Sequence, residues 1–179
     1  MPNEQQINKI AKDFGINLTA TGLAMAFNSK PTFVSTRISF GAIKDAYDKV
    51  GLNSVPVTQL DLNYYTAGAE VWTQIIDRIT KILKPLKWTA EINDCDNRAT
   101  LATCLVAILY GLNTFGNCYG QITNTETGKK SQHWFNIFVL PNGDLYLWDI
   151  EKRAITKIEK GKDIILGNWK YSVESVRYF

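Results

Sequence analysis

The sequence predicts a single α+β domain in which helices come first and antiparallel strands follow. Apolar residues recur at helical spacing before the C-terminal third, and apolar and polar residues alternate within it. Pro-Asn-Gly at 141–143 adds a hairpin signal between two alternating segments. At 179 residues the chain is read as one domain over 1–179, with a helical part at 1–65 leading into a core at 66–179.

Each element has its own warrant. In 3–14, Ile7, Ile10, Ala11 and Phe14 share a helix face and Gly15 follows as a stop. A helical turn is expected at 22–27, with an extended piece after it. Ile43, Ala46, Tyr47 and Val50 mark an amphipathic helix over 41–50 that ends at Gly51. Residues 56–65 are turn-rich. From 69 to 83 a stripe of Val71, Trp72, Ile75, Ile76, Ile79, Ile82 and Leu83 predicts a four-turn helix halted by Pro85. After an extended stretch at 86–93, Asp94 is placed to cap a helix from Cys95 to about Tyr110, stopped at Gly111. That helix is apolar around most of its girth and belongs inside a core. Strands are expected at 119–124, 134–140, 145–150, 154–158 and 171–178.

Composition excludes several function classes. Hydrophobic residues at 45% and charged residues at 21% argue against disorder. The 20 basic residues stand against 17 acidic ones and are dispersed, so nucleic acid is not an expected partner. The stretch 152–162 mixes Glu159 with its lysines and reads as a solvated edge. There is no apolar run of about 18 residues and no leader-like N-terminus, so neither a membrane nor export is expected, and a cytoplasmic location is. The three cysteines Cys95, Cys104 and Cys118 have no metal-type spacing, and Cys104 reads as a buried thiol. No cofactor and no metal is called for.

Cys95 is the first residue of a buried helix, where unpaired N–H groups and the helix dipole favour a thiolate. The single histidine, His133, opens a strand 38 residues later (133 − 95), and Asp149 lies on the strand that pairs with it through the Pro-Asn-Gly turn. Reflection about Asn142 and Gly143 sets residue 136 opposite 149 and 134 opposite 151. A shift of one, through a bulge or a three-residue loop, brings His133 and Asp149 to neighbouring positions on one face, where Asp149 would orient the imidazole. Glu151 has the same parity and is the second candidate. This order suits a thiolate–imidazolium pair with an acid behind it.

The strings Asp94-Cys95-Asp96-Asn97-Arg98-Ala99, His133-Trp134-Phe135-Asn136 and Leu145-Tyr146-Leu147-Trp148-Asp149-Ile150-Glu151 resemble the DCDDFA, HAxN and WyxxEP motifs of bacterial transglutaminase-like cysteine proteases. The papain-like protease domain of certain mushroom agglutinins carries the same pattern, and related domains are frequent in phage genomes. Asn97, Trp134 and Ile150 depart from it. The resemblance covers about 69–151. It implies a papain/transglutaminase-like fold, a central buried helix packed on the C-terminal sheet, and the roles of nucleophile for Cys95, base for His133 and orienting acid for Asp149.

Oxyanion donors would be the Cys95 backbone N–H and the Asn93 side chain. Trp72, Trp88, Trp134, Trp148 and Trp169 could line a groove or fill the core; Trp134 and Trp148 are the binding candidates. Asp94 and Asp96 offer oxygen ligands that some agglutinin relatives give to calcium, but capping and first-turn stabilisation explain them here. The expected function is a cysteine hydrolase or acyltransferase acting on an amide of a protein or peptide substrate. The alternative is a catalytically silent binding or structural module, of the kind phages encode.

Overall fold

The computed structural model describes residues 32–86, 89–90 and 94–178. The helices expected at 3–14 and 22–27, and most of the extended stretch at 86–93, lie outside the described residues. Within them the architecture is α+β, with three helices and a mixed sheet.

Helix α1, Phe40–Lys49, starts where Ser39 Oγ accepts the Ala42 N–H at 3.1 Å, and it buries Ile43, Ala46 and Tyr47. Helix α2, Ala69–Leu83, buries the stripe from Trp72 to Leu83 that its period anticipated. Helix α3, Cys95–Tyr110, has buried residues around most of its girth and ends at Gly111, whose φ of 67° the absence of a Cβ permits.

The strands are β1 Thr36–Ile38, β2 Val57–Thr58, β3 Tyr64–Thr66, β4 Phe115–Asn124, β5 Lys130–Val139, β6 Leu145–Asp149, β7 Ala154–Lys157, β8 Ile164–Leu166 and β9 Trp169–Arg177. Strands β1 and β3 form a two-stranded ribbon. The main sheet runs β2-β9-β4-β5-β6-β7, with β8 also paired to β9. Its C-terminal strands are antiparallel as expected, but β2 joins β9 in parallel, so the sheet is mixed. The sheet curls, because β7 lies against β8 and β8 returns to β9.

Each face of the sheet has its own core. On one, α2 and α3 pack over Phe115, Phe138 and Trp148, and the Trp72 ring stacks on Phe115 at 5.6 Å. On the other, Ile43 and Tyr47 of α1 meet Phe135, Ile137, Leu145, Leu147, Tyr171 and Tyr178. Burying each such large apolar side chain contributes roughly 1.5–3 kcal/mol.

The β5–β6 hairpin sets the phase of the site. Val139 faces Leu145 and Asn136 faces Trp148, one residue off the reflection about Asn142 and Gly143. Proline explains the shift. A two-residue turn at 142–143 would need an N–H from residue 141, and Pro141 has none. The closing bonds are therefore Leu140 N–H to Asp144 O and Gly143 N–H to Leu140 O, both at 2.9 Å, around a three-residue loop with Gly143 at φ 78°. His133 and Asp149 consequently share a face, two residues out of direct opposition.

Candidate active site

Cys95 is half-buried at the N-terminal end of α3, and Asp94 occupies the N-cap position without a side-chain capping bond. Capping by the Asp94 side chain is thus corrected. Asp94 instead hydrogen-bonds Asp96, and this bond is the main cause that raises the Asp96 carboxyl above its ordinary range. Desolvation and the charge of Asp94 work in the same direction.

His133 is 7% exposed. Its Nε2 lies 2.8 Å from Asp149 Oδ2, and its ring also hydrogen-bonds Cys95. Burial alone would lower the imidazole pKa. The hydrogen bonds to Asp149 and Cys95 and the charges of both outweigh it and push His133 up to about 9.

Asp149 is fully buried, yet its carboxyl sits below the ordinary carboxylate value. Burial, the largest effect, works against this. The bond to His133 and its charge, the Tyr171 hydroxyl and the Glu151 N–H together overcome it. Oδ2 accepts from His133 and from Tyr171 Oη; Oδ1 accepts from the N–H groups of Glu151 at 2.7 Å and Lys152 at 3.4 Å. The chain therefore turns tightly around this carboxylate just after β6.

Glu151, the second candidate for the acid, faces elsewhere. Its Oε1 pairs with Arg98 Nη1 at 3.0 Å, and Arg98 Nη2 donates to Leu83 O at 3.3 Å. Arg98 lies one turn after Cys95 and Glu151 two residues after Asp149, so this ion pair joins the helix of the thiol to the turn of the acid. Asn136 makes a second connection. Its buried Nδ2 lies within hydrogen-bonding distance of Ala99 O, Thr103 Oγ1 and Gly116 O.

The tryptophans divide. Trp134 is half-buried against Tyr119, ring centres 5.2 Å apart. Trp148 is 1% exposed and packs on Phe115, so its assignment to a substrate groove is corrected: it is core. Asn93 and Trp88 lie outside the described residues. Cys104 is half-buried rather than buried, and Cys118 is fully buried on β4; desolvation raises both thiols. Tyr171, the remaining member of the cluster, was not singled out in the sequence. A strand tyrosine 22 residues from its carboxylate leaves no periodic signal.

Among the described residues no group of three or more His, Cys, Asp or Glu side chains is arranged to hold a metal ion, and no helix is long and apolar enough to cross a membrane. No family model and no curated protein matches the sequence. Among solved structures, the chain is similar to one described as the PSL1a–E64 complex, with a TM-score of 0.56 at 16% identity over 79% of this chain. The match covers 51% of that structure's chain, so the protein spans about half the length of the structure it resembles. At this identity the likeness is one of fold.

Proposed function

We propose that the protein is a cysteine hydrolase or acyltransferase of papain/transglutaminase-like build, acting on an amide bond of a protein or peptide. The observation that carries this reading is a buried histidine bonded at once to a helix-opening cysteine and a buried carboxylate. That the similar structure is a complex with E64, a cysteine-protease inhibitor, supports it.

The chemistry follows from the geometry. With Asp149 ionised behind it, His133 stays protonated through neutral pH and can compensate a thiolate on Cys95. The thiolate sulfur attacks the amide carbon, a C–S bond forms, and the carbonyl oxygen becomes an oxyanion near the Cys95 backbone N–H at the start of α3. As the C–N bond breaks, His133 gives its proton to the departing amine, leaving a thioester. His133 then takes a proton from water or an incoming amine, which displaces the thiolate and completes hydrolysis or transfer.

Iodoacetamide labelling of Cys95 against pH tests the reading. Labelling faster than that of free cysteine near neutral pH, and lowered about 10²-fold or more by Asp149→Asn with the circular dichroism unchanged, is the expected result. Labelling no faster than free cysteine, or equal rates for wild type and Asp149→Asn, would leave a catalytically silent module.

A further inference from the structure

Asp149 Oδ2 is shared. One hydrogen bond comes from His133 on β5 and the other from the Tyr171 hydroxyl on β9, which reaches the carboxylate because the sheet curls. Tyr171 is 3% exposed, its ring stands edge-on to Phe135 at 5.3 Å, and its centre lies 6.4 Å from that of His133. We infer that Tyr171 is a positioning residue of this site, which fixes the Asp149 carboxylate in rotation and holds part of its charge back from His133.

The inference rests on the reading of Cys95, His133 and Asp149 as a site, and its physical content is local. A carboxylate oxygen with one donor gives that donor its full acceptor strength, and one with two divides it. The remaining groups around Asp149 do not substitute for the phenol. The Glu151 and Lys152 N–H groups hold the other oxygen. The Glu151 carboxylate is paired with Arg98, the Lys152 ammonium lies over the Trp169 ring at 4.5 Å, and Cys95 partners the imidazole. Burial and the neighbouring carboxylate keep the Tyr171 phenol protonated, so here it only donates.

His133 is the sole histidine, so its imidazole titration can be followed by NMR as a single resonance, independently of any reaction at Cys95. In Tyr171→Phe, which keeps the ring against Phe135, the midpoint should move up by roughly half a unit or more as the carboxylate turns wholly to the imidazole. Cys95 labelling at neutral pH should fall about threefold or more as the acid loses its rotational hold. A merely structural tyrosine would change the unfolding temperature and leave the midpoint in place. An unchanged midpoint overturns the inference. In an Asp149→Asn background the same substitution should shift nothing further, and a shift there equal to that in wild type also overturns it. Slow labelling of wild type alongside a shifted midpoint would count against the catalytic reading and leave the role of Tyr171 standing.

Discussion

A histidine that is 7% exposed and still protonated at neutral pH ties folding to pH. Its unfolded value is near 6.5 and its folded value about 9, so the folded protein binds the proton more tightly. The resulting stabilisation is fully present below about pH 6.5 and is lost as pH rises through 9. Asp149 runs the other way, its contribution present above the ordinary carboxylate value and lost as pH falls through its depressed folded value. Urea unfolding should therefore show stability falling by on the order of 2–3 kcal/mol from pH 6 to 10, a fall that His133→Gln removes. At this scale Cys95, His133 and Asp149 were legible because position announces them: a helix start, a lone histidine, an acid on the next strand. Tyr171 and Arg98 were not, since their partners are set by tertiary curl and helix crossing. Trp148 was misread because an indole in an alternating strand gives no sign of whether its face is covered.

Helices α1 and α2 follow their periodicity closely, α3 was marked by its all-round apolar surface and the Gly111 stop, and the strands of two or three residues at Thr36–Ile38, Val57–Thr58, Tyr64–Thr66 and Ile164–Leu166 were too short to show a period. The hairpin was legible in outline. Its phase needed one further fact, the missing N–H of Pro141. Two element-scale expectations follow. Arg98 is buried and Glu151 half-buried, so Glu151→Gln, which leaves an uncompensated guanidinium between α3 and the turn, should cost about 1–3 kcal/mol in urea unfolding. It should leave the upper pH limb of Cys95 labelling where it was, which separates assembly from chemistry. Gly120 faces His133 across β4 and β5, and the β4–β9 register shifts beside it. A Cβ there would lie 1.9 Å from Ser172 O, so the strand carrying Tyr171 would have to move. Gly120→Ala should lower stability by about 3 kcal/mol or more and raise the His133 midpoint as Tyr171→Phe does, the first read by denaturation and the second by NMR.

At the scale of the whole molecule, the α+β order of helices before strands was visible in the change of period. The addition of β2 in parallel to β9 was not. It pairs Val57 with Val176, across 119 residues (176 − 57), and nothing in either short segment points to the other. Strand β9 therefore ties an early segment to the C-terminal part of the sheet: it takes β2 on one side and β4 on the other and supplies Tyr171 to the acid. A chain truncated before Trp169 should bind a dye for exposed apolar surface and label Cys95 no faster than free cysteine. Native-like labelling by that truncated chain would show that the site assembles without β9.

The position of β9 has a consequence during synthesis. A ribosome releases Cys95 long before it reaches Tyr171, and until β9 is available the gap between β2 and β4 stays open and Asp149 keeps one donor fewer. The thiol is thus exposed to the cell before the carboxylate that would arm its histidine is locked. Cys95 is thus made 76 residues (171 − 95) before the tyrosine that completes the hydrogen bonds of the acid.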